Sequence, residues 1–178
     1  MVLLQEALEF MVAAHRGQLR EGTSALPYCM HPMDVVHKLR VVGEVTDESL
    51  LCAAALHDLL EETPVTVETL QAKFPARIVD LVVNLTRDEP TAAQIRGMDA
   101  ETVWRLRADM LIAEVAAMPA DAQVIKLADR LSNVEEAWRT RSKKKLERYL
   151  WQTRRLLDVI PEQRNVGLWR AVQALSDR

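Results

Sequence analysis

The sequence predicts an all-α fold, and three observations carry that reading. Apolar residues recur at helical spacing through most of the 178 residues. The five glycines and seven prolines fall between those patterns. The run that most imitates a strand, "RIVDLVVNLT" at 77–86, has no alternating partner elsewhere.

The elements follow in order. "LLQEALEFMVAAH" (3–15) sets polar Gln5, Glu6 and Glu9 among apolar residues at helical spacing. "RGQLREGTSALPYCMHP" (16–32) reads as a loop, punctuated by Gly17, Gly22, Pro27 and Pro32. Pro32 suits the first turn of a helix through "MDVVHKLRVV". "TDESLLCAAALHDLLEE" (46–62) reads as one helix, capped by Thr46 or Asp47 and ended by Pro64. "TVETLQAKF" is a short helix capped by Thr66, and Pro75 opens another through residue 86. "RDEPTAAQIRGMD" (87–99) is polar and reads as a mobile connection. Helices are expected over 100–118, 121–140, 142–160 and 162–176. With no internal repeat, low-complexity tract or strong linker, residues 1–178 read as one domain.

Composition narrows the function classes. Apolar residues make up 49% and charged residues 28%, a globular balance. The net charge of −3 gives no broad basic surface for nucleic acid, though a local basic pocket is compatible with it. No apolar run approaches membrane-spanning length, and "MVLLQEALEF" carries acids where a secretory signal needs bases. Cys29 and Cys52 read as buried thiols of a reducing compartment, so a cytoplasmic location is expected.

"AAALHDLLEET" (53–63) carries the chemical signal. Leu50 to Leu56 are all apolar, as in a buried helix, yet His57, Asp58, Glu61 and Glu62 come directly after. An unpaired buried carboxylate costs several kcal/mol, roughly. Two arrangements remove that cost: a metal ion held by both side chains, or a buried hydrogen-bonded His–Asp pair. His31, before Pro32, reads alone as a loop histidine or a ligand. In "VIKLADRLSNVEEAW" the residues Val124, Leu127, Ala128, Leu131, Val134 and Trp138 form an apolar stripe. Asp129 lies off it with Ile125, Ser132 and Asn133, open to a salt bridge with Lys126 or Arg130 or to a ligand role. Taken together, His31, His57, Asp58 and Asp129 suit Mn²⁺ or Fe²⁺, with Zn²⁺ as a further option. Neither cysteine is placed for a structural zinc site.

That order of residues resembles the HD superfamily of metal-dependent phosphohydrolases. "AHRGQLREGTSALPYCMHP", "AAALHDLLEET" and "VIKLADRLSN" narrow the likeness. They are similar to the hydrolase domain of the RelA/SpoT group, most of all its stand-alone small alarmone hydrolases. The resemblance covers about residues 5–138, with C-terminal helices from 142 to 178 beyond it. It implies that His31, His57, Asp58 and Asp129 bind Mn²⁺. It implies that Glu61 and Glu62 position or activate the attacking water. Arg20, eleven residues ahead of His31, would approach the nucleotide, and Tyr28, Lys126 and Asn133 would line the nucleotide and phosphate pocket. The implied reaction removes the 3′-pyrophosphate of guanosine tetra- or pentaphosphate. The stretch beyond residue 138 is too short for a synthetase domain, so degradation without synthesis is expected. The alternatives are another nucleotide (a dinucleotide phosphate or a deoxynucleotide) or a non-catalytic nucleotide binder.

Spacing supports the implied acids. Glu61 falls one turn from both His57 and Asp58, and Glu62 one turn from Asp58. Departures from the family are Glu62 where Asp is usual, the changed loop 20–28, and Ser132 where an aromatic or histidine commonly precedes Asn133. His15 reads as a surface or capping residue, with contact to substrate as the alternative, and His37 as exposed. The run 139–149 holds six bases and reads as a solvated face, or as a rim that steers polyanions. Trp104, Trp138, Trp151 and Trp169 read as core or interface anchors, the latter compatible with a homo-oligomer.

Overall fold

A computed structural model describes residues 2–20 and 26–178. The described residues form helices in the order α1 (Val2–Ala14), α2 (Met30–Val41), α3 (Glu48–Leu56), α4 (Leu59–Glu62), α5 (Val67–Gln71), α6 (Ala76–Leu85), α7 (Ala100–Ala117), α8 (Ala120–Thr140), α9 (Lys143–Val159) and α10 (Val166–Ser176). The expected all-α class holds, and the strand-like run is α6. Its Ile78, Val79, Leu81, Val82 and Leu85 face the core. An isolated bridge pairs Leu19 with Pro27. Gly22 and the rest of 21–25, where the loop departs from the family pattern, lie outside the described residues.

The middle of the fold is α3. Leu50 through Leu56 are all buried, which explains a helix apolar all round. Ala53, Ala54 and Ala55 keep its girth small, so α1, α2, α6 and α8 can all pack against it. Leu56 and Leu59 are fully buried, and each such leucine stabilises the fold by about 1.5–3 kcal/mol. The second central element is α8, buried without interruption from Ala122 to Ser132. It packs on α2, α3, α6, α9 and α10.

Local chemistry sets the ends. Asp47, Thr66, Asp99 and Asn165 each accept a backbone N–H at a helix start, an interaction of about 1 kcal/mol. Gly17 takes a left-handed φ of 81° just after α1, a conformation costly for other residues. A Cβ on Gly43 would meet the Leu39 carbonyl at 2.7 Å and Leu168 at 2.8 Å, so α10 can close on the end of α2 only with glycine there.

Four expectations need correction. The helix expected over 46–62 is broken: α3 stops at Leu56, and α4 begins at Leu59. The last helix is also split, into a 3₁₀ turn (Glu162–Arg164) and α10, because Asn165 turns extended to cap α10. Trp138 and Trp151 are exposed and Trp104 only half-buried, so of the four tryptophans Trp169 alone packs against the core. His15 is buried, while His37 is exposed as expected. Among the described residues no helix is long and apolar enough to cross a membrane.

Candidate functional site

The break in the α3–α4 helix builds the site. His57 ends α3 with helical angles, and Asp58 follows at φ −92°, ψ −6°, in the sparsely populated bridge region. Beside this turn the two side chains come together, His57 from a buried position and Asp58 from the cleft wall. His31, at the start of α2, and Asp129, in the middle of α8, face the pair from the other side.

The distances are short. His31 Nε2 lies 3.5 Å from Asp58 Oδ2 and 3.3 Å from Asp129 Oδ1. His57 Nε2 lies 2.9 Å from Asp58 Oδ1 and 3.7 Å from Asp129 Oδ1. One donor atom each from His31, His57 and Asp129 falls within 4.8 Å of the others. His57 Nδ1 bonds the Ala54 carbonyl at 2.9 Å. A carbonyl only accepts, so Nδ1 carries a proton, and Nε2 is the nitrogen left to face the cluster, with a lone pair for a metal ion once its own proton is displaced. That Nε2 is buried and makes no hydrogen bond of good geometry with any described residue. An orphaned imidazole nitrogen beside carboxylates is the donor set of a borderline divalent cation, so the residues fit a metal ion.

Electrostatics agree. Burial opposes charge on His57, but Asp58 and Asp129 outweigh it and push the imidazole up to about 10. Burial likewise works against the Asp58 and Asp129 carboxylates. Nearby cations, His57 for Asp58 and Lys126 with the histidines for Asp129, hold both below the usual range. The cluster thus draws positive charge toward itself, whether a proton on His57 or a metal ion that displaces it.

The neighbours form two supporting sets. Lys126 Nζ pairs with Asp129 Oδ2 at 3.0 Å, and Asn133 donates to Asp129 Oδ1 at 2.5 Å. The salt bridge and the place in the cluster, weighed as alternatives from sequence, therefore coexist. Arg20 donates to Asn133 Oδ1 and to Glu136 Oε2, both at 2.5 Å. Tyr28 donates to Asp58 Oδ2 at 2.8 Å, and burial followed by the Asp58 charge drives its hydroxyl pKa upward. His15 stacks on Tyr28 at 4.5 Å and bonds Gln18, which reaches the Glu62 carbonyl. Its burial comes from that stack.

Glu61 and Glu62 differ. Arg87 donates twice to Glu61, from its backbone N at 3.1 Å and from Nε at 2.9 Å. The Glu62 carboxylate makes no hydrogen bond or ion pair with any described residue. Burial, then Asp58 and Glu61, raise its pKa.

All ten residues expected at the site except His57 line one cleft of about 670 Å³, and His57 sits behind its wall. Sequence reasoning missed Arg87, Arg107, Arg130 and Tyr149 on that wall. Arg87 was hidden in the connection 87–99, whose charges gave no periodic signal. Arg130 was hidden by its place next to Asp129; it is buried and lies 4.6 Å over the Tyr149 ring. Arg141 lies 4.1 Å over the same ring. The basic run is therefore only partly a solvated face: Lys143 and Lys144 are exposed, but Arg141 and Tyr149 belong to the cleft.

Comparison with known proteins gives a consistent picture. A human protein named guanosine-3′,5′-bis(diphosphate) 3′-pyrophosphohydrolase MESH1 is 32% identical over 134 residues, 75% of this chain and 68% of its own length. Its Drosophila melanogaster counterpart is 33% identical over 131 residues, 74% of this chain and 67% of its own. An Aquifex aeolicus guanosine-3′,5′-bis(diphosphate) 3′-pyrophosphohydrolase is 31% identical over 98% of this chain, which spans only 23% of that longer protein. A solved structure described as a metazoan ortholog of SpoT that hydrolyzes ppGpp superposes with a TM-score of 0.82 at 25% identity, covering 98% of this chain and 94% of that one. Residues 7–156 match the family described as HD domain, and the chain belongs to that family.

Proposed function

We propose that the chain is a metal-dependent phosphohydrolase that removes the 3′-pyrophosphate from guanosine tetra- or pentaphosphate, releasing GDP or GTP and pyrophosphate. One observation carries the reading: an orphaned imidazole nitrogen and a second imidazole converge with two carboxylates in a cleft of nucleotide size. The names of the relatives support the choice of nucleotide.

His31, His57, Asp58 and Asp129 would hold the ion, with Mn²⁺ proposed and Fe²⁺ or Zn²⁺ as alternatives. When bound, a divalent ion acidifies water and polarises a phosphoryl oxygen. The cleft also needs that charge, because among the described residues eight carboxylates line it against six arginines and lysines. A polyanion enters such a wall only when a cation tips the balance.

The protein's own groups do the rest. Water adds its oxygen to the phosphorus that carries the 3′ oxygen, and the bond from that phosphorus to the 3′ oxygen breaks. Glu62 takes the proton from water, its unpaired carboxylate and raised pKa suiting it to the task. The proton passes to the departing 3′ oxygen. Glu61, held by Arg87, orients the water. Arg20, Lys126 and Asn133 bind phosphate, and Tyr28 holds Asp58 in place. The free thiols Cys29 and Cys52 support a reducing, cytoplasmic setting.

Glu62 in place of the family's usual aspartate favours a second reading, in which a dinucleotide phosphate or a deoxynucleotide is the substrate. A nucleotide panel with Mn²⁺ decides. Pyrophosphate released from guanosine tetraphosphate supports the first reading. Survival of that compound while another nucleotide is cleaved supports the second.

A further inference from the structure

The back of His31 is held by a chain of side chains that the reaction itself does not use. Its Nε2 faces Asp58 and Asp129, so Nδ1 points away from the cluster. There it meets the Ser132 hydroxyl at 3.2 Å. Ser132 in turn donates to Asp34 Oδ2 at 2.6 Å, and Lys38 Nζ holds the other oxygen of Asp34 at 3.3 Å. His31, Ser132 and Lys38 are all buried. Turn spacing makes the arrangement possible: His31, Asp34 and Lys38 follow one face of α2, and Asp129 and Ser132 one face of α8, which packs against it.

Proton counting gives the chain a direction. A carboxylate only accepts, so the single serine proton goes to Asp34. Toward His31 the serine oxygen can then only accept. The proton must lie on His31 Nδ1, which leaves Nε2 with a free lone pair on the cluster side. His57 reaches the same tautomer through a backbone carbonyl, which is fixed by α3. His31 has no such carbonyl partner among the described residues and depends on two side chains from two helices.

We propose that Asp34 and Ser132 are positioning residues, acting as a unit to fix the tautomer and direction of His31. The proposal rests on the reading of His31 as a metal ligand. Neither residue touches substrate; both act through the imidazole. Groups that orient a ligating histidine from behind typically alter metal affinity when removed.

The test compares metal-free wild type, Ser132→Ala, Asp34→Ala and the double variant. Mn²⁺ binding is titrated by calorimetry, and ring ¹⁵N spectra are recorded at a pH where His31 is uncharged. Each single substitution is expected to weaken Mn²⁺ binding by about 10–100-fold. The double variant should bind no worse than about twofold below the weaker single, because both changes disable one hydroxyl bridge. Wild-type spectra should show Nδ1–H, and the variants a mixture of tautomers. Affinity unchanged in Ser132→Ala, fully additive losses, or Nε2–H in the wild type would each overturn the proposal. Asp34 is partly exposed, so Asp34→Ala decides the matter even where the buried substitution disturbs folding. Wild type that takes up no Mn²⁺ would sink the reading of the site itself, while the tautomer spectra still judge the hydrogen-bond chain.

Discussion

Asp129→Asn keeps the shape of the side chain and removes its charge. Asp129 is buried and pairs with Lys126, itself buried, at 3.0 Å. Leaving one member of a buried pair uncompensated costs about 3–5 kcal/mol. His57 also leans on this carboxylate and can shed its proton once the charge is gone, which relieves part of the penalty. The low end, about 3 kcal/mol, then applies. In a chain of this length that is a fall in Tm of about 6–12 °C for the metal-free protein. The variant should also lose its response to metal. At 100 times the Kd a bound ion adds about 2.7 kcal/mol to wild type, and the variant should gain almost none. Thermal unfolding with and without Mn²⁺ reads both effects. An Asp129→Asn protein with wild-type Tm that is still stabilised by Mn²⁺ would refute the reasoning.

Other substitutions probe separate parts of the site. Glu62→Gln should lower kcat by about 10²–10⁴-fold, in steady-state assays of pyrophosphate release. Because the Glu62 pKa is raised, the folded state keeps a proton that the unfolded chain has lost, so its contribution falls as pH rises through that interval. The Glu62→Gln variant should therefore melt higher than wild type at neutral pH, and wild-type activity should fall as pH drops through the raised pKa. Arg87→Ala should free Glu61 and cut kcat about fivefold, a modest loss because Arg87 is half exposed; unchanged kcat would deny Glu61 an orienting role. Leu56→Ala, at a fully buried position beside His57, should cost about 2–5 kcal/mol in urea unfolding. A cost below that range would mean α3 can collapse around the gap.

What the sequence revealed and concealed has physical causes. The helices were legible where an apolar stripe met a cap, as at Asp47 and Thr66. The break after Leu56 was not, because no Gly or Pro marks it and the apolar pattern continues through Leu59 and Leu60. His57 and Asp58 occupy that break, 2.9 Å apart. His57 and Asp58 stood out because unpaired polar groups in apolar surroundings demand a partner, whereas His31 and Asp129 had no such signal of their own and joined them through the family resemblance. The opposite wall of the cleft did not stand out. Arg87 and Arg107 are spaced like ordinary surface charges, and only the fold brings them to the cleft. Arg130 and Tyr149 pair across the α8–α9 packing, a contact with no signature along the chain.

The most direct measurement is hydrolysis of guanosine tetraphosphate by purified, metal-stripped protein, with Mn²⁺ returned in steps and Asp58→Asn run alongside. Pyrophosphate and GDP should appear in equal amounts, only with the ion present, and not with the Asp58→Asn variant. Turnover that needs no divalent ion, or that survives Asp58→Asn undiminished, would contradict a metal-dependent phosphohydrolase built on this cluster.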